Sequence, residues 1–246
     1  MPKFFIKKED IKDGKVNICG GDAVHISKVL RTQEGDTLTL CDGEGRDFLA
    51  TVTSCNKEIV SLTINDTFPC LAEPCVSVTL FQGLPKQGKM DYIIEKCTEL
   101  GISRIVPVAA KRSVVKIEDK KSEAKKLERW RKIASESVKQ CGRGSIPEVT
   151  EVMTMSEAID FSKSLDLTIA AYECEKETSI KSALSGKTPT SVGIFIGPEG
   201  GIDDKEIKLF KDANIQTVTL GKRILRTETA GHTVLTAIMY EFNELK

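Results

Sequence analysis

In residues 1–70, apolar and polar positions alternate in short runs. Thr37–Cys41, Phe48–Thr53 and Ile59–Ile64 each read as a strand with one buried face. Gly35-Asp36, Asp42-Gly43 and Asn56-Lys57 supply turn chemistry around them. One stretch breaks the alternation: from about Asp22 to Leu30, the residues Val24, Ile26, Val29 and Leu30 form the apolar face of a helix. Strands this closely spaced predict a small barrel. Phe68 to Pro74 holds prolines 69 and 74, has no period, and predicts a linker.

From Val76 onward strands alternate with helices. Val76–Phe81, Ile105–Ala109, Leu165–Ala171 and Val192–Ile196 are apolar runs of strand length. Between and after them lie helical patterns at Lys89–Leu100, Glu118–Gln140, Ser156–Ser162, Asp203–Lys211 and Glu228–Asn243. In the first of these, Ile93, Ile94, Cys97 and Leu100 recur at helical spacing and Gly101 supplies the stop. In the last, Val234, Leu235, Ile238 and Met239 share a face. The alternation predicts an α/β domain over residues 75–246, with a mostly parallel sheet covered on both sides.

Two strand ends stand out. Val192–Ile196 runs into Gly197-Pro198-Glu199-Gly200-Gly201, and Thr217–Leu220 runs into Gly221-Lys222-Arg223-Ile224-Leu225-Arg226-Thr227. Ligands of open α/β sheets bind where strands end in such loops. Gly197, Gly200 and Gly201 let backbone approach a ligand closely. The second loop mixes cations with Ile224 and Leu225, which a purely phosphate-binding loop does not need. An adenine ring does, because it takes apolar walls and backbone hydrogen bonds.

Composition narrows the classes. The chain of 246 residues has 40% hydrophobic and 29% charged residues and a formal net charge of zero, so an RNA-binding surface would have to be local. No apolar run reaches the ~18 residues of a membrane span, and the N-terminus lacks the apolar core of a signal peptide. Eight scattered cysteines without a CxxC, and only two histidines, argue against a zinc site; no metal is expected. Reduced thiols and a cytoplasmic location follow as expectations.

Charge is uneven in detail. Residues 1–70 carry 9 Lys/Arg and 11 Asp/Glu, which leaves Lys3, Lys7, Lys8, Lys28 and Arg31 as the only candidates for a basic patch. Lys111 to Lys132 carries 10 Lys/Arg against 4 Asp/Glu and reads either as a solvated helix face or as an RNA contact that includes Arg112. Gly83 to Lys89 matches the GxxxxGK spacing of a phosphate loop. Met90 then stands where Ser or Thr should bind magnesium, and Pro85 removes an amide donor, so a nucleotide triphosphatase is set aside. Lys86 and Lys89 remain two cations at a helix start, where the helix dipole disfavours them, and read as a solvated loop or as phosphate contacts. No GxSxG accompanies His25 or His232, so a serine hydrolase has little support.

Ile196-Gly-Pro-Glu-Gly-Gly201, with Leu220-Gly221 and Ile224-Leu-Arg-Thr-Glu-Thr-Ala230, closely resembles the C-terminal signature of the SPOUT methyltransferases. In its longer spelling it is similar to the 16S ribosomal RNA (uracil-N3) methyltransferases. His25 with Val29-Leu-Arg31, Gly83-Leu-Pro-Lys86, Lys96 to Gly101 and Gln140 to Pro147 resemble further motifs of that family, so the likeness spans nearly the whole chain. Lys3 departs from it, standing where many relatives carry arginine, as does Lys139, where glutamate is common.

The resemblance implies a PUA-like RNA-binding β-barrel in residues 1–70 and a SPOUT domain with a deep trefoil knot in 75–246. It implies S-adenosyl-L-methionine as cofactor, a homodimer, and 16S ribosomal RNA in the small ribosomal subunit as partner. The cofactor residues would be Ala171, Tyr172, Gly197, Pro198, Glu199, Gly200, Leu220, Gly221, Ile224, Leu225, Arg226, Thr227, Thr229 and Ala230. Lys3, His25, Lys28, Arg31, Lys86, Lys89, Arg112 and Arg143 would contact RNA. Uracil N3 becomes nucleophilic by losing its proton, which spreads charge onto O2 and O4; a nearby cation stabilises that anion. Arg226 is the first candidate, with Lys86 and Arg31 behind it. Glu228 either orients the arginine, accepts the proton, or caps the last helix with Thr227.

Overall fold

The computed structural model describes residues 3–86, 88–115 and 119–245, and two compact units emerge from it. The first comprises Met1–Glu73 together with Val138–Ile146; the second comprises Pro74–Ser137 and Pro147–Lys246.

The first unit is built on a five-stranded sheet. Its strands are β1 (Lys3–Phe5), β2 (Lys15–Cys19), β3 (Thr37–Cys41), β4 (Arg46–Cys55) and β5 (Ile59–Pro69), in the order β1-β3-β4-β5-β2. β1 pairs parallel to β3, and the other pairings are antiparallel. Period-two burial puts Val16 and Ile18 of β2, Leu38 and Leu40 of β3, Phe48, Ala50 and Val52 of β4, and Val60 and Leu62 of β5 into one core. β5 extends through Phe68 and Pro69, which the sequence assigns to the linker. The predicted helix divides into α1 (Gly21–Val24) and a π-helical turn, His25–Val29, stopped by Arg31 at φ 55°. β1 and β2 went unpredicted because one is three residues long and the other offers only two inward apolar side chains.

The second unit is a three-layer α/β/α structure. Its strands are β6 (Ser77–Gly83), β7 (Arg104–Ala109), β8 (Glu148–Val149), β9 (Met153–Thr154), β10 (Leu167–Ala171), β11 (Ser191–Ile196) and β12 (Gln216–Val218). All the pairings among them are parallel, in the order β12-β10-β11-β6-β7-β8, with β9 also on β7. The helices are α2 (Lys89–Glu99), α3 (Lys120–Cys141), α4 (Met155–Ser162), α5 (Ile180–Leu184), α6 (Asp204–Asp212) and α7 (Thr227–Glu241). The last residues of α3, from Val138, group with the first unit. The expected start of α3 at Glu118 lies outside the described residues, as does Gln87 in the Gly83–Met90 segment.

Alternate side chains of the sheet feed two cores, which is why its strands are apolar on both faces. Val78, Leu80, Ile105, Val192, Ile194 and Ile196 face α2, α3, α5 and α7. Phe81, Val106, Val108 and Phe195 face α4 and α6. There Phe81 stacks on Phe195 at 4.3 Å, and Phe195 leans on Phe210 at 4.9 Å. No helix among the described residues is long and apolar enough to cross a membrane.

Candidate functional site

Parallel pairing places the ends of three strands together. Ala171 of β10 is in register with Ile196 of β11 and with Val218 of β12. The chain therefore leaves the sheet three times along one edge, and the loops that follow enclose a cavity of about 560 Å³. That lies within the range of ~300–1,000 Å³ usual for small-molecule sites. Its walls come from Ala171, Tyr172 and Glu173 after β10, from residues 197–201 after β11, and from residues 219–227 after β12. Lys89 at the start of α2 and Ala230 of α7 complete it.

Close packing holds the loops. Gln82, fully buried on β6 opposite Ile196, donates from Nε2 to Thr227 Oγ1 at 2.9 Å. The Thr227 hydroxyl in turn donates to the Gly197 carbonyl at 2.6 Å. One chain of bonds thus ties the sheet, the first cavity loop and the start of α7. Gly83 has to be glycine, since a Cβ there would lie 2.7 Å from Pro198 Cδ and the Pro198 backbone nitrogen. Gly201 sits at φ +72°, and a Cβ on it would meet the Glu173 carboxylate at 2.0 Å. Arg112 reaches the Gly200 carbonyl at 3.3 Å and Asp203 at 3.5 Å, so it buttresses this loop.

The loop after β10 is braced by Glu175. Its carboxylate accepts the backbone N–H groups of Lys176, Glu177 and Thr178 and the Thr217 hydroxyl of β12. These bonds, led by the Glu177 N–H and the Thr217 hydroxyl, pull its pKa down to about 2. Tyr172 is pushed up to about 12 by its hydrogen bond with Cys174 and by burial, so it is a neutral phenol at physiological pH.

A row of alternating charges runs along one side of the cavity. Lys89 Nζ is 2.9 Å from Glu199 Oε1 and 3.1 Å from Glu228 Oε2, and Glu228 Oε1 is 4.0 Å from an Arg226 guanidinium nitrogen. Glu199 also accepts the Lys86 N–H at 3.0 Å. The two glutamates hold the Lys89 ammonium above its ordinary pKa. Burial works to raise both glutamates, but bonds from Lys89 and from backbone N–H groups outweigh it and keep both below the usual carboxylate range. Arg226, with its side chain 82% exposed, points into solvent at the cavity mouth.

Thirteen of the fourteen cofactor candidates line the cavity. Thr229 does not: it is exposed, and its N–H closes the first turn of α7 onto the Arg226 carbonyl at 2.9 Å. Glu228 sits behind the wall rather than on it. A depressed pKa makes it a weak base, which counts against the proton-accepting one of its three candidate roles. Lys89, a phosphate-contact candidate, is instead an ion-paired part of the wall. The wall also takes in Gly201, which the sequence marks only as a glycine that admits a ligand, and Glu173, Ile196, Thr219, Lys222 and Arg223, which were not among the candidates; continuity with the two strand-end loops was a signal for all of these except Glu173.

The remaining RNA candidates divide. His25, Lys28 and Arg31 are exposed together on and just after the π-helical turn, with His25 edge-on to Phe4 at 6.0 Å. Lys86 is exposed beside α2. Lys3 and Arg143 are structural instead. Lys3 donates to Asp47 at 2.6 Å and to Cys70 Sγ at 3.0 Å with its side chain 13% exposed. Arg143, at 4% exposure, holds Glu73 at 2.7 Å.

The chain matches two family models: an RNA methyltransferase domain over residues 72–239 and an RNA methyltransferase PUA domain over 18–65. It is 36% identical over its whole length to the ribosomal RNA small subunit methyltransferase E of Bacillus subtilis (strain 168), covering 99% of that protein. It is 30% identical, over 96% of this chain and 76% of the relative, to the protein of the same name from Synechocystis. Among solved structures, a ribosomal RNA small subunit methyltransferase E from Neisseria gonorrhoeae bound to S-adenosyl methionine superposes with a TM-score of 0.82 at 29% identity, over 98% of this chain and 97% of that one. The likeness runs through both units and across the loops that form the cavity, and so the chain belongs to the ribosomal RNA small subunit methyltransferase E family.

Proposed function

We propose that this protein methylates N3 of a specific uridine in 16S ribosomal RNA, within the assembled small subunit, using S-adenosyl-L-methionine. The observation that carries this reading is the cavity at the ends of β10, β11 and β12, whose mouth bears an exposed arginine backed by a partly buried glutamate. Membership of the family and a relative solved with that cofactor support it.

The walls suit the cofactor. Leu220, Ile224 and Leu225 offer apolar surface for an adenine, and the glycine-rich 197–201 loop brings backbone close to the cavity. Glu173 adds a carboxylate to a wall that would face the cofactor's cationic groups. When bound, the cofactor supplies an electrophilic methyl on sulfur. The protein's part is to hold the acceptor and favour its anion. Arg226, exposed at the mouth, would stabilise charge on the uracil oxygens, with Glu228 4.0 Å behind its guanidinium. Uracil N3 lies on the pairing edge, so the base must be unpaired or flipped out.

The same reading gives residues 1–70 the role of an RNA-binding barrel, threads the C-terminal chain into a trefoil knot, and makes the protein a cytoplasmic homodimer. Exposed Tyr92 and Tyr240, on α2 and α7, are apolar surface that such a dimer would cover.

The test is methyl transfer from labelled cofactor to small ribosomal subunits from a strain lacking this protein, followed by mapping of the product. Label at N3 of one uridine is the expected result. Label on a ribose, or on transfer RNA alone, would overturn the proposed specificity. Arg226→Ala should slow transfer by about a hundredfold, the cost of removing one preorganised stabilising donor. A variant as fast as wild type, with Arg31→Ala inactive, would move the catalytic cation to the other unit.

A further inference from the structure

Lys89 occupies a position that helix physics disfavours. It is the first residue of α2, after Gly88 at φ 63°, so its ammonium sits at the positive end of the helix dipole. Two carboxylates from different parts of the chain compensate: Glu199 from the loop after β11 and Glu228 from the first turn of α7. Neither would need a lysine to be stable on its own. Glu199 accepts the Lys86 N–H, and Glu228 lies at a helix start where acidic residues are favoured. What Lys89 adds is a fixed position for Glu228, drawing Oε2 toward α2 and leaving Oε1 4.0 Å from Arg226.

We propose that Lys89 is a positioning residue for Arg226, acting through Glu228. With Lys89 in place, Glu228 is shared, and Arg226 stays close to it without being captured. Without Lys89, the 15%-exposed Glu228 loses its nearer counter-charge, and among the described residues the cation still within ion-pair distance of it is Arg226. The arginine then closes its long contact with Glu228 into a tight ion pair and is withdrawn from the cavity mouth. Substrate thus meets an exposed, loosely held guanidinium because a lysine shares the glutamate. The proposal rests on the assignment of Arg226 as the acceptor-side cation.

A double-substitution cycle tests it, using Lys89→Met, Arg226→Ala, the pair together and Lys89→Arg. The first readout is stability in urea, which needs no substrate. Arg226→Ala should be neutral in the wild-type background, where the side chain is 82% exposed, and destabilising in the Lys89→Met background, where it has become the partner of Glu228. The second is the single-turnover methyl-transfer rate. Lys89→Met should lower it about tenfold or more, and clearly further than it lowers cofactor affinity measured by calorimetry. The same substitution should add nothing to Arg226→Ala, and Lys89→Arg should restore most of the rate.

Independent effects in both cycles would overturn the proposal. So would a cofactor affinity that falls as far as the rate, since Lys89 would then be a cofactor contact. The stability cycle is read without RNA and the rate cycle at whichever atom is labelled, so a wrong base assignment leaves this test intact.

Discussion

At the scale of single residues, side chains in the second unit act mostly by fixing loops. Glu175 shows how far hydrogen bonds can move a carboxyl, since those from the Glu177 N–H, the Thr217 hydroxyl and the Thr178 N–H bring its pKa down to about 2. Its folded-state pKa lies below the ordinary 4.5, so its contribution to stability is complete above that value and is lost as pH falls toward about 2. Glu175→Gln should therefore lower the melting temperature at pH 7, with a difference from wild type that shrinks steadily below about pH 4.5. A difference that stayed constant from pH 7 to 3 would mean the bonds, and not the charge, carry the effect. Several glycines act by the space they leave. Gly83 and Gly201 were legible in sequence only as glycines near strand ends; that one admits Pro198 and the other Glu173 is a fact of tertiary packing.

At the scale of elements, α7 joins the two cavity loops to the core. Its inward face, Val234, Leu235, Ile238 and Met239, was readable from periodicity because a helix buries residues three and four apart. Its first turn was not. Thr227 is a helix-start residue in the sequence, but its hydroxyl bridges Gln82 of β6 and the Gly197 carbonyl, residues far from it along the chain. Thr227→Val would keep the shape and remove both bonds, leaving polar groups unpaired beside a buried amide. The expected cost is about 1–3 kcal/mol in urea denaturation, with a matching loss of cofactor affinity. Thr227→Ser keeps the oxygen and should behave nearly as wild type. The short elements β1, β8, β9 and α5 escaped the sequence because two to five residues show no period.

At the scale of the whole molecule, the linear order of domains is interrupted. Val138–Ile146 leaves the second unit and joins the first, where Glu73 accepts the N–H groups of Gly144 and Ser145 and pairs with buried Arg143. A Cβ on Gly144 would lie 2.6 Å from the Cys70 Cβ, so the excursion is tightly fitted. Glu73→Ala takes away the carboxylate opposite a guanidinium at 4% exposure and should cost about 3 kcal/mol or more. Urea unfolding monitored in the first unit would register it. An unchanged midpoint would show that the segment is held by its backbone bridges and packing and not by the Glu73 carboxylate.

Sequence by itself determined what local chemistry can determine. Alternation marked β3, β4 and β5 of the first unit, helical spacing marked α2, α6 and α7, and two glycine-bearing strand ends marked nearly all of the cavity wall. Those features depend on neighbours a few residues away, which a linear reading contains. Tertiary structure decided which cations are held by partners far along the chain. Lys3, Lys89, Arg112 and Arg143 look like Lys28, Arg31 and Arg226 in the sequence, but carboxylates or carbonyls distant in the chain claim the first four. A charge acts according to what faces it across the fold, and that pairing is set by how strands and loops stack.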